Sequence, residues 1–122
     1  MEITTKELNG IQLIEINGRV DSVEAVKLAD ALAAAQQRGM YRIIVDMSQL
    51  EYMSSAGFRA LGDAQRNSKR QPRGEVVLAR VPPRIHEALE MVGFAGYFHI
   101  SESVDSALEF ATNLPAGASM AE

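Results

Sequence analysis

Residues 41–61 read YRIIVDMSQLEYMSSAGFRAL, and the change of pattern inside this stretch decides the fold class. Ile43-Ile44-Val45 is a short β-branched run without polar alternation, the pattern of a strand covered on both faces. Asp46 follows it, and Gln49 to Met53 reads as a linker. Beyond Ser54-Ser55 the period becomes helical, with a helix expected from about Ser55 to Lys69. Its inner face would carry Gly57, Ala60, Leu61, Ala64 and Ser68, residues small enough to bring the helix close to a sheet. A doubly covered strand feeding a helix is the building unit of a parallel sheet.

The flanking segments extend that unit. Upstream, residues 1–8 alternate and Asn9-Gly10 is a strong hairpin signal. Ile11, Leu13 and either Ile14 or Ile16 form the returning strand, which Asn17-Gly18 should end. Asp21 or Ser22 then caps a helix over Ser22–Gln37, with Ala25, Leu28, Ala29, Leu32 and Ala35 inward and Gly39 as its stop. Downstream, Pro72 and Gly74 lead into a buried strand at Val76–Ala79, and Pro82-Pro83 opens a helix carrying Ile85, Ala88, Leu89 and Val92. A short strand at Tyr97–Ile100 and a helix capped by Ser103, with Val104, Ala107, Leu108 and Ala111 inward, complete the pattern. The expected fold is a single α/β domain over residues 1–112. It has a mixed sheet that opens with a hairpin, later strands parallel, and about four helices packed on it. Residues 113–122 have the composition of a flexible tail.

Composition removes several functions. Cysteine is absent, so disulfides, thiolate metal sites and a cysteine nucleophile are excluded. A net charge of −4 gives no electrostatic reason to bind nucleic acid. The basic run Arg66–Arg73 is read as a solvated helix end. No apolar run is long enough for membrane insertion and no leader pattern opens the chain, so a cytoplasmic protein is expected.

Enzyme signatures are equally scarce. Neither GxGxxG, GxxxxGK[ST] nor GxSxG occurs. His86 and His99 lack the spacing of a zinc site, so no metal and no cofactor is expected. Asp46 ends a buried strand, where open α/β sheets place ligands. A receiver-type phosphorylated aspartate would need an acidic pair after the first strand to hold magnesium with it, and no paired carboxylates follow the early strands. Asp46 is therefore read as an acceptor for hydrogen bonds from the segment after it. Ser54 and Ser55 stand at a helix start, where serine is a good N-cap. A phosphoryl group would also be tolerated there, near open N–H groups. Composition alone favours capping and leaves both readings open.

The same segment resembles the signature of the STAS domain, in its anti-sigma factor antagonist branch. The matching pieces are Ile43-Ile44-Val45-Asp46 and Met53-Ser54-Ser55-Ala56-Gly57-Phe58, with Leu61 beyond. Gly18-Arg19-Val20-Asp21 upstream and residues 83–94 downstream match in order. The residue before the phosphorylated serine is often aspartate in that family, whereas Ser54 stands here. The resemblance implies that Ser55 is a phosphoacceptor, supported by Asp21, Asp46, Ser54 and Gly57, with Met53 and Phe58 flanking it as contact surface or core. It implies a non-catalytic phosphoprotein of transcription regulation that works by partner switching. Its partners would be an anti-sigma factor of the histidine-kinase-like ATPase type, acting as serine kinase, and a PP2C-type phosphatase. The alternative is a STAS subunit of a transporter or sensory complex that is not switched by phosphate.

Overall fold

A computed structural model describes residues 1–115. The elements follow the expected order: strands β1 (Glu2–Leu8) and β2 (Ile11–Val20), helix α1 (Glu24–Gln37), β3 (Arg42–Met53), α2 (Ser55–Lys69), β4 (Glu75–Ala79), α3 (Pro83–Met91), a 3₁₀ turn (Ala95–Tyr97), β5 (His99–Ser101) and α4 (Val104–Thr112). The five strands lie side by side in chain order. Only β1 runs antiparallel to its neighbour; β2 through β5 are mutually parallel. The mixed α/β fold with an opening hairpin stands as expected. The tail expectation for residues 116–122 lies outside the described residues.

Alternation along the strands divides the core. Ile14, Ile16, Ile43, Val45, Met47, Val76 and Leu78 face α1, α2 and α3, where Leu28, Leu32, Phe58, Leu61, Ile85 and Leu89 meet them. Ile11, Leu13, Ile44, Val77 and Ala79 turn the other way, towards Ala107 and Ala111 of α4. Ile43, Ile44 and Val45 are fully buried, which is why this strand shows no polar alternation. Ile14 and Ile16 both enter the larger core.

Two boundaries differ from the sequence reading for one reason. Asn17-Gly18 does not end β2, and residues 49–53 are not a linker: Asn17 to Val20 pair in parallel with Gln49 to Met53. The ladder absorbs two irregularities, between Glu15 and Asn17 and between Gly18 and Arg19. Gly18 takes φ +99°, which a side chain would oppose, so the turn-like pair makes a bulge instead of a turn. In β3 the buried residues Met47, Leu50 and Met53 fall three apart, which breaks the period of two that marks a strand. As a result β2 and β3 project beyond the short β4, whose pairing with β3 stops at Asp46 and Ala79.

Smaller differences occur elsewhere. Helix α1 begins at Glu24, Val92 is exposed beyond the end of α3, and Tyr97 belongs to the 3₁₀ turn before β5. Gln65, fully buried in α2, was not anticipated. Its amide donates to Tyr97 O (2.9 Å) and accepts from Val76 N–H (2.7 Å), stitching α2 to β4 and to the 3₁₀ turn. A buried amide satisfied in this way specifies one packing arrangement.

Candidate functional site at the start of helix α2

The projecting ends of β2 and β3 position the serine pair. Ser54 N–H donates to Val20 O at 2.8 Å, tying the two strand ends together as β3 turns into α2. Ser54 is extended (φ −75°, ψ 167°), and its Oγ accepts from Gly57 N–H at 3.3 Å, the geometry of an N-cap. Ser55 is the first helical residue and is exposed. Among the described residues nothing hydrogen-bonds its hydroxyl. The two readings left open for the pair thus fall on different residues: Ser54 caps and Ser55 is accessible.

Gly57 sets the distance between helix and sheet. A β-carbon there would lie 2.6 Å from Met53 Cγ and 3.1 Å from Val20 Cγ1, so α2 can approach the strand ends only without one. Met53 is buried beneath this contact at 5% exposure and belongs to the core. Phe58 is also buried, although one edge lines the groove described below. Asp21 follows Val20 directly, as Ser54 follows Met53, so both stand just past the paired ends of β2 and β3. Asp21 Oδ1 accepts from Glu24 N–H at 2.7 Å, so it holds the start of α1.

Asp46 is placed elsewhere. It falls between Val45 and Met47, which face α1–α3, so its side chain turns to the α4 side of the sheet. There Arg80 engages it through two nitrogens, Nη2 to Oδ2 at 2.6 Å and Nε to Oδ1 at 3.2 Å, and Ser48 N–H donates to Oδ1 at 3.1 Å. The bond from Ser48 is of the kind expected for Asp46; the membership of Ser55's immediate surroundings is corrected to the opposite face. Burial pushes the Asp46 carboxyl up. The Arg80 hydrogen bonds, the Ser48 N–H and the Arg80 charge together outweigh burial and hold it below the usual carboxylate range. Arg80 was missed because nothing in its local sequence marks it. It becomes visible only once the register places Ala79 beside Asp46.

A groove of about 480 Å³ runs from Ser55 along α2, lined by Phe58, Arg59, Gly62, Phe94 and Tyr97 among others. Phe94 reaches to 3.0 Å from where a β-carbon of Gly62 would stand, so this glycine also admits a neighbour. Val92 and Tyr97 are exposed at 46% and 37% on the rim. A shallower groove lies between α1 and α2, along Val26, Ala29, Ala56 and Ala60, and Arg59 borders both. Tyr52 is exposed under the Arg19 guanidinium, 4.6 Å from its ring centre. His86 approaches Glu90 at 3.9 Å on the surface of α3, and His99 stacks on Phe110 at 3.7 Å. Among the described residues no cluster of His, Cys, Asp or Glu could hold a metal ion, and no helix is long and apolar enough to cross a membrane.

The fold that carries this site is shared with known proteins. The STAS domain model matches residues 2–107. A protein of Bordetella bronchiseptica that bears the name "Putative anti-sigma factor antagonist BtrV" is 34% identical over 116 residues, covering 94% of this chain and 99% of that one. The crystal structure of an anti-sigma factor antagonist from Mycobacterium paratuberculosis superposes with a TM-score of 0.83 at 18% identity, covering 92% of this chain and 94% of that one. The Bacillus cell fate determinant SpoIIAA in its phosphorylated form gives 0.69 at 16% identity, over 89% and 98%. These two structural likenesses are ones of fold. The chain belongs to the STAS domain family, and within it to the family of anti-sigma factor antagonists.

Proposed function

We propose that this protein is a partner-switching anti-sigma factor antagonist whose switch is the Ser55 hydroxyl. Without phosphate it binds an anti-sigma factor, which thereby releases its sigma factor. That partner is a serine kinase of the histidine-kinase-like ATPase type. In the transfer, Ser55 Oγ attacks the γ-phosphorus of ATP, the bond to the ADP oxygen breaks, and the serine proton passes to a base of the kinase. A PP2C-type phosphatase hydrolyses the ester and restores binding. The protein itself carries no catalytic step, and the cycle operates in the cytoplasm on a folded unit spanning residues 1–112.

One observation carries this reading: Ser55 is exposed with an unengaged hydroxyl, beside a serine already committed to capping. A kinase can take Ser55 without undoing the helix start. Ser54 keeps α2 in place, Gly57 and the buried Met53 and Phe58 fix its depth, and Asp21 holds the adjoining helix. A phosphate adds about −1.5 to −2 charges to a surface that a partner must desolvate. A penalty of about 2–3 kcal/mol weakens binding by roughly two orders of magnitude.

Incubation with the cognate kinase and ATP, followed by peptide mass spectrometry, tests the assignment. Phosphate is expected on Ser55, retained in Ser54→Ala and lost in Ser55→Ala. Labelling confined to other residues would refute it. Partner affinity unchanged in both Ser55→Ala and Ser55→Asp would point instead to a constitutive subunit.

A further inference from the structure

We propose that Arg59 receives the phosphate on Ser55, closing an ion pair along one turn of α2; this rests on Ser55 being the phosphoacceptor. Both residues line the same groove, four positions apart in a continuous helix. Side chains on a helix lean towards its N-terminus, so an arginine at i+4 reaches back over residue i. An anion placed N-terminal to its cation is the favourable order for such a pair. The guanidinium fork also matches two phosphate oxygens at once.

The neighbouring arginines are occupied and Arg59 is not. Arg66, further along the groove, is bound by Asp63 at 2.6 Å. Arg19, at the end of β2, lies over the Tyr52 ring. Arg59 is exposed, and among the described residues it makes no ion pair.

Phosphorylation then alters the surface twice. It puts a dianion at the mouth of the Ser55 groove, and it draws Arg59 away from the α1–α2 groove that it also borders. A partner that reads positive charge on α2 loses that charge as it meets the phosphate.

The test places phosphoserine at position 55 by genetic encoding, without any kinase, and follows the phosphate by phosphorus NMR across pH. In the wild-type background the second phosphate pKa is expected about 0.4 unit lower than in R59Q, equivalent to about 0.5 kcal/mol. R59K should retain part of the difference, and 1 M salt should shrink it because the pair is exposed. Coincident curves for the wild-type background and R59Q overturn the pairing. Because no kinase is involved, that result leaves Ser55 labelling intact. Failure of the kinase to label Ser55 defeats the switch but leaves this titration decisive for Arg59.

Discussion

Ser55 and Asp46 both belong to the segment that carries the family signature, yet the sheet separates them and treats them oppositely. Ser55 stands exposed at a helix start, its hydroxyl unengaged among the described residues. Asp46 is 3% exposed, its charge matched by Arg80 and its Oδ1 shared between Arg80 and Ser48. One group is left available for chemistry; the other is consumed by the fold. An acid embedded in a functional motif is therefore not itself evidence of a functional acid. Its hydrogen-bond partners decide.

The contrast can be broken at either end, and the largest effect is expected at Arg80. Removing its guanidinium takes away two of the three hydrogen bonds to the Asp46 carboxylate and its one countercharge, leaving the Ser48 N–H and whatever water enters. Arg80→Ala should destabilise the fold, read as a lower urea midpoint than either wild type or Asp46→Asn gives. The variant keeps its β-carbon at the left-handed position (φ 54°), so backbone strain is not altered at the same time. Phosphate incorporation at Ser55 should persist. An unchanged midpoint would show that the ion pair contributes nothing.

Asp46→Asn should cost less, about 1–2 kcal/mol at neutral pH, because Arg80 is half exposed and regains water. The pH dependence identifies the group. A carboxylate whose folded pKa is depressed gives stability that is fully present above its unfolded value of about 3.9 and is lost as pH falls through the folded value. Urea unfolding at stepped pH should show the gap between wild type and Asp46→Asn narrowing below about pH 4. A gap that widened on acidification would contradict the lowered pKa.

The adjacent serines give the smallest and most discriminating comparison. Ser54→Ala removes the cap on α2 and should lower stability by about 1 kcal/mol while preserving phosphate incorporation. Ser55→Ala should change stability by less than about 0.5 kcal/mol and abolish incorporation. Reversal of that pattern would exchange their roles.

Much of this was legible before any coordinates. The Ile43-Ile44-Val45 run announced a doubly covered strand, Ser54-Ser55 the start of α2, and Ser103 a helix cap that the structure completes with Ser106. The extension of β2 and β3 was not legible. Asn17-Gly18 carries a turn signal that the parallel pairing of Asn17–Val20 overrides, and residues 49–53 break the alternation by which a strand is recognised. The groove beside Ser55 was equally hidden, since it forms where α2 meets Phe94 and Tyr97, more than thirty residues further on.

Sequence by itself determined the order of strands and helices and the serine pair at the opening of α2, because capping, periodicity and turn chemistry act over a few neighbouring residues. Tertiary structure alone decided which face Asp46 turns to and that Arg80, 34 residues away, neutralises it. That pairing depends on the register between parallel strands joined by a helix, and no local pattern specifies a register.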